Sequence, residues 1–515
     1  MTGKRWTLAA VVLGSATVFL DTTVVNVALN RIGEELPVSL VGVLEGQSYV
    51  ANGYLLTLSA LLILAGALGD FYGRRRVFTI GLAGFGVTSV MCGLAPTMEL
   101  LIAFRLLQGA FGALLVPASL SIIRATFEGP EQGRAFGIWA AASSATTLLG
   151  PPLGGLLVDT ISWRVAFLIN APVVAVALYA AVRHVAETRD RGRRAGFDWL
   201  GAAIVAIAVG GLSYGLIRGQ ERVWTDVSAF VALGAGAVAT VSLPFVMGLR
   251  RDPLVPLSLF RSRNFTITNV STFLIYGALY VWSAYQAIYV QGTLGYSAMA
   301  AGLIGLPISF FLTVFSTPVG ALAGRLGPRW FMAVGPFLMG AGLLWLVRLP
   351  YDSAAWRASA GDPASLVPPV SYLVDFLPGV MLFAFGISLL VAPLTTALMT
   401  SVPMANSGLA SAINNAISRV GPLIAGAVIF VAITASFYSS LGARLPDVDP
   451  NDAAVRATMP PLNRPASGVS PDRVAAARDA STDAFRLSMA IAAGLCLLGA
   501  AINAVGIRNA PPAEQ

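Results

Sequence analysis

Charged side chains interrupt the long apolar stretches of this sequence, and their chemistry poses the first question. Asp21 lies about midway along the apolar run 8–29. A carboxylate at the centre of a bilayer costs about 3 kcal/mol on insertion scales, so it must face a cavity or a partner. Burial disfavours the charged form and a nearby cation favours it, so a carboxyl group balanced between the two can bind and release a proton. The alternative is a structural Asp21 that is hydrogen-bonded to a neighbouring helix.

Arg105 begins a second polar face. Gln108, Gly109 and Gly112 follow it at i+3, i+4 and i+7, which places all four residues on one side of a helix. The glycines allow another helix to approach closely. The arginine stays protonated, so it can hold a carboxylate's charge or control its protonation. We assign proton coupling to Asp21 and Arg105, with snorkelling of Arg105 to the headgroups as the alternative.

The second half of the sequence also places polar groups within apolar runs. Ser411, Asn415 and Arg419 are spaced by four and form one helix stripe, and an arginine so deep in a span needs a partner or water. Tyr276 and Tyr280 lie near the middle of another run, where their rings can bind an aromatic or cationic substrate. Core packing of the two tyrosines is an equally open interpretation. The residues predicted to line a substrate cavity are Gln108, Tyr276, Tyr280, Asn415 and Arg419.

Two short motifs predict residues that control the conformation of the protein. In the loop GALGDFYGRR, Asp70 can cap a helix N-terminus or pair with an arginine across one mouth of the protein, holding one conformation and releasing it in another. The alternative is that the positive charge of this loop only sets its topology. In GPPLGG, a proline invites a bend and a GxxxG pair favours close packing. The residues assigned to conformational gating are Asp70, Gly73, Arg74, Gly150, Pro151 and Gly154.

The elements that position these residues are membrane-spanning helices. The 515-residue chain is 56% hydrophobic and only 11% charged, against about 25% charged in a soluble domain, which excludes soluble, disordered and coiled-coil proteins. A spanning helix needs about 20 mostly apolar residues, and the long runs favour helices over the short alternating strands of a membrane barrel. The sequence therefore predicts an all-α polytopic protein. Its fourteen predicted spans lie at roughly 8–29, 47–69, 77–95, 100–123, 133–157, 165–182, 199–217, 227–248, 267–291, 299–323, 330–348, 373–399, 405–435 and 484–507.

The distribution of positive charge predicts the orientation. If the N-terminus is cytoplasmic, nineteen lysines and arginines lie on the cytoplasmic side and six lie in the short opposite loops. This asymmetry follows the positive-inside rule, so the net charge of +8 reports topology rather than nucleic-acid binding. We predict a multi-pass protein of the bacterial cytoplasmic membrane with both termini inside. A long outer loop is predicted at 439–483, where Ser470 and Pro471 would start a short helix.

Catalytic and cofactor motifs are missing from the sequence. Cys92 and Cys496 lie far apart in apolar runs, so neither a disulfide framework nor a thiolate metal site is indicated. Lys4 is the only lysine, and no phosphate-binding GxxxxGK[ST] motif occurs. We therefore expect no enzyme activity, no metal and no cofactor.

An internal repeat indicates two related halves. The segments GALGDFYGRR (66–75) and GALAGRLGPR (320–329) agree at five of ten positions, and each follows the second span of a six-span unit. Repeated bundles around a central site are typical of transporters. The sequence predicts a 6 + 2 + 6 organisation. Its three parts are an N-terminal bundle at 1–183, an inserted hairpin at 184–264 and a C-terminal bundle at 265–515.

Four motifs in order resemble signatures of the major facilitator superfamily, in its fourteen-span drug:proton antiporter branch. They are LDTTVVNVAL (20–29), GALGDFYGRRRVF (66–78), RLLQGAFGA (105–113) and GPPLGG (150–155). The resemblance implies the major facilitator fold, alternating access, proton coupling through Asp21 and a membrane-embedded Arg105. It also implies a gating loop with Asp70 and Arg74. Asn30 stands where the family usually has proline.

The function that these features predict is proton-coupled export of small amphipathic or cationic organic compounds. An exporter with one narrow substrate, such as an antibiotic, a metabolite or a lipid, is the alternative. A more remote alternative is a channel or a non-transporting sensor. The expected partners are a small-molecule substrate, protons and the lipid bilayer, without nucleic acid, and the protein is expected to function as a monomer.

Overall fold

The computed structural model describes residues 2–37, 43–188, 196–222, 224–359, 362–466 and 468–509, which form helices and no strand. Within these described ranges, thirteen helices are long and apolar enough to cross a membrane. A further helix of 32 residues, Gly129–Thr160, occupies the remaining predicted span. The predicted all-helical membrane fold is therefore confirmed. In chain order, α1 to α14 are Thr2–Glu35, Val43–Tyr72, Arg74–Gly93, Met98–Thr126, Gly129–Thr160, Val165–His184, Trp199–Glu221, Val227–Leu249, Arg263–Gly292, Ala298–Leu326, Arg329–Leu346, Tyr372–Thr400, Ser407–Arg444 and Pro471–Gly506.

Two groups of six helices enclose most of the buried apolar side chains. Helices α9 to α14, the C-terminal bundle, share one core that includes Trp282, Phe383 and Met489. Helices α1 to α6, the N-terminal bundle, contribute most of a second core, which also takes in Leu398 from α12 and Leu409 from α13. Burial of apolar surface thus organises each bundle and also joins the two at one end.

The bundles meet at the side of the molecule that carries both chain ends, called the termini side below. There Lys4 pairs with Glu131 at the start of α5, and Asn509 accepts a hydrogen bond from the N–H of Arg329 at the start of α11. Within the described residues, the hydrogen bonds between the two bundles all lie at this side. The structure is therefore closed there.

Glycines allow the closest approach of the bundles. A Cβ added to Gly66 of α2 would lie 2.4 Å from the carbonyl oxygen of Gly408 of α13. A Cβ added to Gly133 of α5 would lie 2.3 Å from the carbonyl oxygen of Gly320 of α10. Side chains essentially never approach a backbone oxygen so closely, so these two crossings require glycine.

Helices α7 and α8 form a hairpin beside the N-terminal bundle. A Cβ on Gly210 of α7 would lie 3.1 Å from Ala60 of α2. At the base of the hairpin, Asp198 accepts hydrogen bonds from the N–H groups of Gly201 at 2.9 Å and Leu254 at 3.0 Å, which ties its two flanking segments together. The three-part division at 184 and 265 stays a prediction.

The long loop before the last span is shorter than predicted. Helix α13 continues to Arg444 and α14 begins at Pro471, with Ser470 as its N-cap, so the loop is 445–470 rather than 439–483, and it contains the short helix Ala453–Thr458. The predicted helix start is correct, but this helix runs into the span without a break. Arg444 pairs with Asp483 at 2.9 Å, so α13 and α14 keep packing beyond their apolar stretches, where hydropathy carries no signal.

Candidate functional site

A fully buried polar cluster surrounds Asp21 in the middle of α1. Arg105 of α4 donates to one carboxylate oxygen at 2.5 Å. Gln108, one turn further on, donates to the other at 3.0 Å, and Asn170 of α6 donates to that same oxygen at 3.1 Å. All four side chains are at most 1% exposed. The structure thus brings the two residues assigned to proton coupling into direct contact, and it places Gln108 in this cluster instead of at a cavity surface.

The Arg105 guanidinium is held from several sides. Its Nε donates to the Val50 carbonyl of α2 at 3.0 Å and its Nη1 donates to Gln108 at 2.8 Å. The Tyr54 ring lies 4.2 Å from its central carbon, a cation–π distance. A charge so deep in a membrane protein is stable only with such compensation. Any change at Asp21 therefore reaches α2, α4 and α6 through the arginine and its neighbours.

Asn170 and Tyr54 belong to this site although sequence reasoning did not select them. Asn170 also donates to Ser89 of α3 at 3.1 Å, while its own Oδ1 is buried without a hydrogen-bond partner among the described residues. The only signal in the sequence was an amide near the start of an apolar run. Such a signal shows that a partner is needed but not which residue it is.

The GPPLGG motif of α5 packs against the Asp21 segment of α1. A Cβ on Gly150 would lie 1.9 Å from the hydroxyl oxygen of Thr23, and one on Gly154 would lie 3.1 Å from the backbone of Val24. These two glycines bring α5 into direct contact with the turn that follows Asp21. The Pro151 side chain lies outside the described part of the structure.

At the termini side, Asp70 of α2 binds both its own bundle and the opposite one. Arg74 donates to it at 3.0 Å within the N-terminal bundle. The N–H groups of Gly408 and Leu409 donate to it at 3.1 and 2.9 Å, so Asp70 also caps the N-terminus of α13 in the opposite bundle. Arg74 in turn donates to the Met404 carbonyl. Asp70 and Arg74 are 3% and 2% exposed, so this cluster is a buried polar contact between the two bundles.

Gly73 positions the turn between α2 and α3. Its φ of 114° is a conformation that side chains strongly disfavour. A Cβ there would also lie 2.6 Å from the carboxylate of Glu187. Glu187 accepts hydrogen bonds from the N–H groups of Arg75 and Arg76, and thereby caps α3. Sequence reasoning missed this carboxylate, because it lies more than a hundred residues from the helix that it caps.

We expect Asp70→Asn to lower transport about tenfold. The variant leaves Arg74 buried without its counter-charge, and removing one partner of a buried pair costs about 3 kcal/mol or more. Only part of that cost affects turnover, because both conformations lose some of it. The measurement is the transport rate at equal amounts of folded protein. Asp252→Asn, at an exposed aspartate, is the control that should leave the rate unchanged. An Asp70→Asn variant with the wild-type rate would exclude a gating role.

The cavity residues predicted for the second half are less closely grouped. Tyr276 and Tyr280 are partly buried in α9, and the Tyr280 ring packs against Gly426 of α13. Asn415 donates to the Ser411 carbonyl of its own helix at 2.9 Å. Arg419 is partly buried and has no hydrogen bond or ion pair among the described residues, although it lies close enough to Tyr54 to interact electrostatically.

A buried amide network joins α9 and α13 beside these residues. Asn414 donates to Asn269 at 3.1 Å and to Thr272 at 2.7 Å. Sequence reasoning selected the neighbouring Asn415, because it continues the i, i+4 stripe. In the structure Asn414 makes the contact between helices, whereas the hydrogen bonds of Asn415 to described residues all lie within its own helix.

The structure has two six-helix bundles, a buried Asp–Arg pair in one of them and a polar contact between them. This arrangement is typical of secondary transporters. The chain belongs to the Major Facilitator Superfamily, whose family model matches residues 11–426. It is 34% identical over 437 residues to the multidrug resistance protein Stp of Mycobacterium tuberculosis, covering 84% of this chain and 77% of that protein.

Two further similarities agree with this assignment. The chain is 30% identical over 525 residues to the tetracenomycin C resistance and export protein of Streptomyces glaucescens, covering 100% of this chain and 93% of that protein. Among solved structures, the proton:xylose symporter XylE matches with a TM-score of 0.58 at 14% identity, covering 97% of this chain and 95% of XylE. That last likeness concerns the fold alone.

Proposed function

We propose that this protein is a proton-coupled exporter of small organic compounds that works by alternating access in a bacterial cytoplasmic membrane. The observation that carries the proposal is the Asp21 carboxylate, which is fully buried and accepts hydrogen bonds from Arg105, Gln108 and Asn170. The carboxylate of Asp21 faces the permanent cation of Arg105, and protonation of Asp21 would remove the negative charge from this ion pair. Both termini are cytoplasmic in this proposal, and the protein acts as a monomer.

Protonation of Asp21 would change the cluster in a defined way. A neutral carboxyl group holds Arg105 less strongly, because the hydrogen bond no longer joins two opposite charges and only its donor remains ionised. The new O–H also needs an acceptor, and the free Oδ1 of Asn170 can supply it after rotation of the amide. The bonds between α1, α4 and α6 are thereby rearranged. A proton can thus favour one arrangement of the N-terminal bundle over another.

In this proposal, the contact of Asp70 with the opposite bundle controls opening toward the cytoplasm. With cytoplasmic termini, the present structure is a state that is closed toward the cytoplasm. Opening toward the cytoplasm must break the contacts of Asp70 with Gly408 and Leu409. Proton binding from outside and substrate binding from inside would then alternate across one membrane, which is antiport.

The relatives favour drugs or antibiotics as substrates, because their names include multidrug resistance and tetracenomycin C resistance and export. The inward movement of one proton supplies enough energy for such export. One proton moving inward yields about 2.3 kcal/mol per 100 mV and about 1.36 kcal/mol per pH unit. Together these sustain a gradient of roughly 500-fold for a neutral substrate. We place Tyr276, Tyr280, Asn415 and Arg419 along the substrate path.

Arg419 favours a second candidate, an exporter with a narrow, acidic substrate. A cation deep in a span without a partner among the described residues needs an anion or water. A substrate with a carboxylate or phenolate group would supply the charge. A cationic substrate would be repelled unless it bound to the tyrosines instead.

The test is antiport by the purified protein in proteoliposomes. An imposed pH gradient should drive a fluorescent substrate against the proton flow, recorded together with an internal pH probe. A cationic dye and an acidic dye of similar size are compared in matched vesicles. Transport of the cationic or of both dyes supports a multidrug exporter, and transport of the acidic dye alone supports the narrow alternative. A pH gradient that drives no compound and dissipates at the rate of empty vesicles would contradict proton coupling.

A further inference from the structure

An arginine-lined cavity lies at the end of the C-terminal bundle opposite the termini side. It has a volume of about 510 Å³, within the range of small-molecule sites. Its floor is the end of α9, where Gly292 allows the loop at Leu462 and Asn463 to lie directly against the helix. Its walls come from two parts of the chain that are far apart in sequence. One is the loop between α11 and α12, and the other is the loop before α14 together with the first turns of α14.

Three arginines line this cavity, and none of its lining residues is acidic. Arg478 is anchored through a hydrogen bond to the Ser353 carbonyl at 3.1 Å, while its Nε is buried without a partner among the described residues. Arg357 and Arg464 are exposed and form no ion pair among those residues. The cavity therefore holds three positive charges and an unused donor.

Unlike the three arginines that line the cavity, neighbouring arginines form ion pairs with acidic residues. Arg444 and Arg486 pair with Asp483, and Arg473 pairs with Asp447 at 3.1 Å. These residues lie on the same side of the protein, in α13, in α14 or in the loop between them. The absence of acidic partners is thus a property of the cavity and not of this whole surface. Like charges that share a cavity repel one another, so an anion would stabilise the arrangement.

We propose that this cavity binds a phosphate group attached to an organic moiety. Guanidinium groups pair with phosphate through two parallel hydrogen bonds each, and three of them match a group that offers several oxygens better than one carboxylate does. The volume exceeds that of a bare phosphate ion, so there is room for the attached moiety. Two sources supply this chemistry: the headgroup of an anionic phospholipid and a dissolved phosphate ester. The site shares no residue with the proposed proton and substrate path.

The experiment measures binding to the full-length protein in an uncharged detergent at constant salt. Glycerol 3-phosphate is titrated by calorimetry as the soluble probe. Phosphatidylglycerol is compared with zwitterionic phosphatidylcholine by native mass spectrometry as the lipid probe. The test variant is Arg357→Gln with Arg464→Gln, which leaves the anchored Arg478 in place. Arg473→Gln, which removes a paired arginine from α14, is the matched control. The melting temperature of each unliganded variant checks its folding.

The variant pair is expected to weaken binding of the phosphate probe at least tenfold, since each lost charge-assisted hydrogen bond is worth about a factor of ten. The control should change it less than twofold. Binding of phosphatidylglycerol alone identifies a lipid headgroup, and binding of glycerol 3-phosphate alone identifies a dissolved ester. Binding of both shows that the phosphate itself is recognised. The proposal is overturned if neither probe binds, or if Arg473→Gln weakens binding as much as the test variant.

Discussion

Asp21→Asn is expected to abolish proton-driven transport while the protein still reaches the membrane. The amide keeps the size of the side chain and can still accept a hydrogen bond, but it cannot take up a proton. It also leaves Arg105 buried with an uncompensated charge, which costs about 3 kcal/mol or more of folding stability. The measurement is substrate flux and proton flux in the same proteoliposomes under an imposed pH gradient.

Three variants separate a coupling role from a structural one. Asp21→Glu keeps a titratable group and should retain part of the coupled flux. Asp447→Asn removes the exposed aspartate that pairs with Arg473, so it should change little, because such pairs contribute at most about 1 kcal/mol. Asp21→Asn combined with Arg105→Gln removes the unpaired buried charge and should recover thermal stability without coupled flux. Proton-coupled flux in Asp21→Asn at the wild-type rate would end the assignment of Asp21.

The positions of the spans could be predicted because the bilayer imposes a strong local rule. Each helix needs about 20 apolar residues, and that requirement is visible in one stretch of sequence. The same rule made Asp21 and Arg105 conspicuous, since each violates it. Helix ends were less predictable. Helix α13 runs on to Arg444, where the residues are polar and the helix is maintained by packing against α14.

The partners of the functional residues could not be predicted in the same way. Asn170 reaches Asp21 across 149 positions of the sequence, and Glu187 reaches the N-terminus of α3 across more than a hundred. A polar residue in an apolar run shows that a partner is required. Only the packing of whole helices decides which of several amides or carboxylates provides it. Asn414 and Asn415 illustrate this, because adjacent positions face different surroundings.

Helix α5 connects the Asp21 cluster with the seam between the bundles. Near its end it packs on α1 through Gly150, directly after the turn that carries Asp21. Near its start it crosses α10 through Gly133. One continuous helix thus touches both the proposed proton site and the surface that is proposed to open. A rearrangement of α1 on protonation can therefore move the seam without any long chain of side-chain contacts.

Gly133→Val is expected to disfavour closure at the termini side and to lower transport at least about fivefold. A Cβ at this position would lie 2.3 Å from the carbonyl oxygen of Gly320, and backbone cannot yield as a flexible side chain can. Overpacking of a tight contact costs about 1–3 kcal/mol, and here the cost falls only on the closed state. The equilibrium should therefore shift toward the state that is open at the termini side by about 5- to 150-fold.

The shift can be measured by spin-label distances between cysteines introduced at Glu128 and Arg325, which are exposed at the facing ends of α5 and α10. The native Cys92 and Cys496 are buried and should remain unlabelled. Gly133→Val should lengthen the main distance and reduce substrate flux together. Gly302→Val places the same side chain on α10 where no atom lies within 4 Å, so it should change neither. A lengthened distance with undiminished flux would show that tight closure at this crossing is not required for transport, and an unchanged distance would show that the seam adapts to the added side chain.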